Sequence, residues 1–249
     1  MSSPTHPPPR AQSHWGEPDY NDPRLADGYF LQRLDRAARL RGGAKLIGAK
    51  VGVNDPATQQ RLRLSGPLIG FLTDASIIDG ERTISLGDFT LAGVEPELAI
   101  WLRHDIGPGA DVKSVAAAIE RIGLCAEIID VSGRYDDVAA LVGSNIMHRG
   151  VVFSTGQALF SENSINSSWL EARHNSVPAW QLPLGFILGD PRDALRFVAD
   201  ALAQQGDALL SGQVIITGLL TPIPLWVKPG DKVELDAGTF GSLNLDFSQ

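Results

Sequence analysis

The chain has a single cysteine, Cys125, in 249 residues, which excludes an intramolecular disulfide framework and a cysteine-built zinc site. No apolar run reaches the length of a transmembrane helix, and the opening MSSPTHPPPR lacks the apolar centre of a signal peptide. Positive charge is also scarce. Lys and Arg number 21 against 29 Asp and Glu, a formal net charge of −8, and no basic stripe offers a footprint for nucleic acid. These absences lead us to expect a cytoplasmic protein that engages neither nucleic acid nor membrane. Several motifs are missing too. There is no G-x-G-x-x-G after a strand, no P-loop, no G-x-S-x-G elbow and no H-E-x-x-H. The five histidines, His6, His14, His104, His148 and His174, have no metal-ligand spacing.

What the chain does have is punctuation: 26 glycines and 16 prolines imply many turns between short elements. Residues 1–22, rich in proline and polar side chains, read as a flexible or surface-draped arm. Helical spacing from Pro23 to Arg41 predicts a first helix, closed by Gly42-Gly43. KLIGAKVGV (45–53) reads as a strand. Asp55-Pro56 then opens a helix over 56–64. From 68 to 103 the pattern is strand-like. Asp111–Ile122 reads as an amphipathic helix, LCAEIIDV (124–131) as a buried strand and 136–142 as a short helix. Strands over 150–154 and 158–160, a polar loop over 161–168, a helix from Asp190 to Gln205 and a β-rich tail follow. The sum is an α+β chain with a mostly antiparallel or mixed sheet. Its expected divisions are a 1–22 arm, a 23–66 helical region carrying the lysine strand, and a 67–249 β-rich domain.

The chemistry concentrates in acids placed where acids are costly. Glu95 and Glu97 stand two apart in the apolar strand GVEPELAIWL and so share a face. Neighbouring carboxylates raise one another's pKa unless a cation lies between them, and Mg²⁺ or Mn²⁺ favours such oxygen donors. Glu127 sits in the second apolar strand, where an uncompensated charge costs several kcal/mol. Three carboxylates from two strands would leave positions for water or a chelating substrate. By pattern alone Glu95 and Glu97 also fit a solvated strand face, and Glu127 fits an arginine partner. Lys50, between glycines in GAKVGV, suits an anionic substrate beside a metal, or a side chain reaching solvent from the strand end.

In this order, these segments resemble the fumarylacetoacetate hydrolase superfamily, and within it the 2-oxopent-4-enoate hydratase and 4-oxalocrotonate decarboxylase branch. GAKVGVNDPATQQRL resembles the G-x-K-x-G segment and its helix, GVEPELAIWL the paired metal-binding glutamates, and CAEIID the strand of the third ligand. GYFLQ at 28–32 and the ending GQVIITGLLTPIPLWVKPGDKVEL…SLNLDF are also similar, so the likeness spans about 25–249. It implies a β-rich mixed-sheet roll or sandwich and Mg²⁺ or Mn²⁺ on Glu95, Glu97 and Glu127. It also implies a small anionic 2-oxo acid substrate, Lys50 as a catalytic group and a homo-oligomer, with a pathway enzyme as a possible further partner. The chain departs from the pattern where the branch carries an aspartate, since Pro67-Leu68-Ile69-Gly70 has none. Asp74 or Asp130 could stand in for it, and His148 could supply acid/base chemistry or be structural. Of the branch's A-D-N-A segment, only Asn145 in Gly143-Ser144-Asn145-Ile146 is retained. The expected activity is a 2-oxopent-4-enoate hydratase, a hydro-lyase, with Lys50, Asp74 and Asn145 catalytic. The alternatives are an oxalocrotonate-type decarboxylase, an acylpyruvate-type C–C hydrolase and a non-catalytic metal-binding scaffold. The 25–41 helix has neither the histidine nor the glutamate that the hydrolase branch often uses there.

Overall fold

Five aspartates open helices in the computed structural model, which describes residues 14–17, 20–79, 83–133, 137–159 and 165–249. Asp22 caps α1 (Pro23–Arg41), Asp55 caps α2 (Pro56–Leu62) and Asp111 caps α3 (Val112–Ala118). Asp137 caps α4 (Val138–Gly143), an uncapped turn forms α5 (Leu184–Leu188), and Asp190 caps α6 (Pro191–Gln204). Each of the five carboxylates accepts a backbone N–H that the first helical turn leaves without a partner. No helix among the described residues is long and apolar enough to cross a membrane.

Two sheets organise the rest. The larger contains β1 (Leu46–Gly52), β2 (Leu68–Thr73), β4 (Ala92–Leu102), β5 (Ile119–Asp130), β6 (His148–Ala158) and β9 (Val214–Ile216). Its order is β2-β1-β9-β4-β5-β6, with β10 (Leu225–Val227) also paired to β4. The smaller sheet runs β3-β12-β11-β7-β8, from β3 (Ile84–Ser85), β12 (Ser242–Ser248), β11 (Lys232–Asp236), β7 (Trp169–His174) and β8 (Val177–Pro183). Pairing is antiparallel except for β1 with β9 and β3 with β12. The architecture is therefore the mixed-sheet α+β class that the alternation of short elements implied. α1 lies against α4, and the buried Gln32 amide donates to Ile69 O and Val142 O at 3.1 Å each, tying the helix to the sheet.

Several boundaries differ from the sequence reading. The helix expected over Asp111–Ile122 ends at Ala118, and Ile119 already belongs to β5, pairing with Leu102. A long-range ladder of β-branched residues outweighs local helical periodicity there. The helix over 56–64 ends at Leu62, because Arg63 turns left-handed at φ 55°. The strand expected over 150–154 runs from His148 to Ala158 as β6, which takes in only the first residue of the strand expected over 158–160, and Phe160 lies outside the described residues. Residues 1–13, 18 and 19 of the expected arm, Asp136 of the expected short helix and 161–164 of the expected loop lie outside the described residues. Within the arm, Trp15 stacks against Phe197 of α6, with ring centroids 5.7 Å apart.

Candidate metal centre and cavity

The register of β4 against β5 builds the site. Glu95 lies directly opposite Glu127, and Glu97 opposite Cys125, so the three acids share one sheet face. One carboxylate oxygen from each lies within 4.8 Å of the other two. Glu97 and Glu127 are fully buried, and Glu95 is half-buried. Pro96 fits this central strand because its carbonyl accepts from Leu220 N at 2.9 Å. Its missing N–H therefore faces the same gap between β9 and β10, where no ladder bond is lost. The chain crossing that gap delivers Gly218, whose N–H donates to Glu97 Oε2 at 2.7 Å. Gly218 sits at φ +88°, and a Cβ there would come within 2.8 Å of the Asn54 side chain, so the turn requires glycine.

Lys50 reaches the centre from β1. Its ammonium is 1% exposed and donates to Glu127 Oε1 and, at 3.1 Å, to Ile146 O, leaving one of three N–H groups unused by these bonds. It does not snorkel to solvent. Gly70 lies opposite Lys50 in the ladder, and a Cβ there would approach Lys50 Cγ to 2.8 Å and Asn145 Oδ1 to 2.5 Å. The second partner of Glu127 is His148 Nδ1, at 2.7 Å.

The buried charges of the centre do not balance among the described residues. Burial would raise the Glu127 pKa, but Lys50 and the His148 hydrogen bond more than offset it and hold the carboxyl below its ordinary range. Burial also keeps His148 neutral by pushing its pKa down. Glu97 is pushed well up, first by burial and then by the charges of Glu127 and Glu95. The two fully buried carboxylates, Glu97 and Glu127, when both ionised exceed the one buried ammonium, Lys50, by one negative charge. Glu97 Oε1 and Glu127 Oε2 are buried with no hydrogen-bond partner among the described residues. A hard divalent cation answers both the charge excess and the orphaned oxygens, so the residues present fit Mg²⁺ or Mn²⁺.

Beside the triad opens a cavity of about 380 Å³, lined by Lys50 and Glu95, by Asn54 and Asp55 at the start of α2 and by Arg61 in its last turn. The rest of its lining is largely apolar, with Ile129, Met147, Leu219 and Trp226 among the contributors. Two expected catalytic residues are not in it. Asp74 is exposed at the far end of β2, where it accepts the N–H of Lys45 at 2.8 Å, so the structure does not bring it to the acids. Asn145 is buried, and its amide bridges both backbone polar groups of Phe71 at 2.9 Å, a clamp on β2. Asp130 accepts from Thr90 N and Leu91 N, and Leu68 is buried in the main core. Neither Asp74 nor Asp130 lines the cavity in place of the acid the sequence lacks. The α2 residues and the apolar wall were missed because each reads as ordinary capping, surface or turn chemistry. The available signal was that α2 follows the lysine strand directly.

No family model matches the chain. A curated 2-hydroxyhexa-2,4-dienoate hydratase from Comamonas testosteroni is 26% identical over 238 residues, covering 92% of this chain and 89% of the relative. The 4-oxalocrotonate decarboxylase from Pseudomonas putida G7, solved with calcium and acetate, superposes with a TM-score of 0.81 at 26% identity, covering 92% and 88% of the two chains. A protein from Yersinia pestis CO92 of the fumarylacetoacetate hydrolase family shares the fold at TM-score 0.62 and 15% identity, over 81% of this chain and 93% of that one. By sequence the chain is thus similar to a dienoate hydratase and an oxalocrotonate decarboxylase, and it shares its fold with a protein of the fumarylacetoacetate hydrolase family.

Proposed function

We propose that this protein is a divalent-metal-dependent hydro-lyase of the 2-oxopent-4-enoate hydratase type, acting on a small 2-hydroxydienoic acid. The observation that carries the reading is the triad of Glu95, Glu97 and Glu127, two of its oxygens orphaned, beside a cavity into which Lys50 also faces. Glu95, Glu97 and Glu127 hold the Mg²⁺ or Mn²⁺ ion, which when bound supplies a Lewis acid for a 2-oxo acid. Lys50 has one N–H beyond its bonds to Glu127 and Ile146, and it directs that donor at an anionic oxygen of the substrate. In this reading Lys50 holds a proton at the substrate's 2-oxygen while water adds to the conjugated carbon. His148 orients Glu127 from the other side. The apolar wall excludes bulk water, which strengthens these charges. Absence of histidine and glutamate from α1 speaks against C–C hydrolysis.

Residues 1–22, 23–66 and 67–249 act as arm, entry region and catalytic domain in this reading, and the protein works in the cytoplasm as a homo-oligomer. Phe30, Leu31 and Leu34, all exposed on α1, support self-association. The activity test uses purified protein, Mg²⁺ or Mn²⁺, and freshly made 2-hydroxypenta-2,4-dienoate, following loss of diene absorbance. Metal-dependent loss is expected. Carbon dioxide release from an oxalocrotonate-type acid, with the dienoate inert, would replace the hydratase with a decarboxylase.

A further inference from the structure

The cavity lining carries charge in two unlike places. Buried Lys50 and half-buried Glu95 stand at the triad, and Arg61 comes from the last turn of α2. Arg61 is exposed and makes no ion pair among the described residues. The other charged lining residue on this helix, Asp55, caps the opposite end of it, with its carboxylate on Thr58 N at 2.8 Å.

The end of the helix that carries Arg61 is held firmly. Arg24 donates to Leu62 O at 3.0 Å and to Arg63 O at 3.1 Å, the left-handed Arg63 closes the helix, and Leu62 is buried in the core. Such a guanidinium is presented by a rigid element, and its planar fork matches a carboxylate. A surface arginine on a helix is ordinarily just solvated. This one differs because it lines the same cavity as the lysine and the acids.

We propose that Arg61 is the subsite for a second carboxylate, so that the preferred substrate is a 2-hydroxydienedioic acid, anionic at both ends. The inference rests on the hydratase reading for the end of the cavity at Lys50. The chain then discriminates by length and distal charge: a five-carbon monoacid satisfies the triad end and leaves Arg61 without a partner, whereas a six- or seven-carbon dioic acid engages both.

The test compares kcat/KM for 2-hydroxypenta-2,4-dienoate and 2-hydroxyhepta-2,4-diene-1,7-dioate, both with Mg²⁺, in the wild-type protein, Arg61→Ala and Arg61→Lys. The ratio of dioate to monoacid should exceed ten in the wild type. It should fall at least tenfold in Arg61→Ala, chiefly through KM, and recover partly in Arg61→Lys. A wild type that prefers the monoacid, or a ratio that Arg61→Ala leaves unchanged, overturns the proposal. Binding of adipate and of pentanoate to the Mg²⁺-loaded protein separates the two readings. If neither dienoate turns over but adipate binds at least tenfold tighter than pentanoate, and Arg61→Ala abolishes the difference, the subsite stands and the hydratase reading falls. Equal affinities overturn the subsite.

Discussion

Lys50 and Glu127 are opposite charges held where water does not reach them, and each is the reason the other can be there. Removing one partner from a buried pair leaves an uncompensated charge and costs about 3–5 kcal/mol. Lys50→Met is therefore expected to lower apo-protein stability by about that much, measured by urea denaturation, with saturating Mg²⁺ restoring part of the loss. A stability within about 0.5 kcal/mol of wild type would show that the pair contributes little. Glu97 presents the opposite case. Its carboxyl is pushed up by burial and by its acidic neighbours, so making it neutral should relieve the apo protein. Glu97→Gln is expected to leave the apo melting temperature equal or higher while weakening Mn²⁺ binding at least ~100-fold, the loss of one ligand exceeding the 10–100-fold typical of outer-shell changes. Calorimetric titration with Mn²⁺ decides it, and an unchanged affinity would remove Glu97 from the ligand set. The identities of the acids were legible from sequence because charged residues stand out in apolar strands. The supports of the pair were not, because Ile146 O, which accepts from Lys50, lies 96 residues further on in a turn, and His148, which bonds Glu127, comes from another strand.

At the scale of elements, Asn145 shows how a loop residue can hold a strand. Its side-chain amide mimics a neighbouring strand's peptide group, accepting from Phe71 N and donating to Phe71 O at 2.9 Å each. β2 is thereby pinned beside β1, and Gly70, which borders Lys50, is pinned with it. Asn145→Ala removes both bonds and strands two buried backbone groups, each worth about 1–3 kcal/mol. An expected loss of about 2–4 kcal/mol, with faster amide exchange in 68–73, checks the clamp. Exchange accelerated uniformly over the whole chain would argue for general destabilisation instead. Strands β4 and β5 and the capped helices were readable because their signals are local: alternation, glycine boundaries and Asp N-caps. The helix expected to run on to Ile122 failed because its apolar face is equally a strand's, and only pairing with β4 decides between them. The hairpin of β7 and β8 turns on Asn175 and Ser176, both at positive φ, a turn that asparagine signals and serine does not.

For the whole molecule, the formal charge of −8 conceals a local excess that couples folding to pH and metal. The folded-state pKa of Glu97 lies above the ordinary glutamate value of 4.5, so above pH 4.5 the folded protein holds a proton that the unfolded chain has released. Wherever the native state binds more protons, stability falls as pH rises, by about 1.4 kcal/mol for each pH unit crossed below the raised pKa. Two other buried groups act in the opposite sense. Glu127, held below 4.5, contributes stability that is present above that pH and lost on acidification. His148, depressed by burial below 6.5, makes the fold less stable as pH drops beneath that value. Subtracting the Glu97→Gln stability curve from the wild-type curve isolates the Glu97 contribution. In metal-free buffer that difference should become steadily less favourable from pH 4.5 upward until Glu97 has ionised in the fold. Saturating Mg²⁺ should reverse the trend, because the cation replaces the proton and binds only the ionised carboxylate, so its stabilisation grows with pH. Urea midpoints measured across the pH range, for both proteins with and without Mg²⁺, read all four curves. A difference curve that is flat without metal, or a Mg²⁺ stabilisation that does not change with pH, would mean that Glu97 ionises freely in the fold and that the triad is not the seat of the metal.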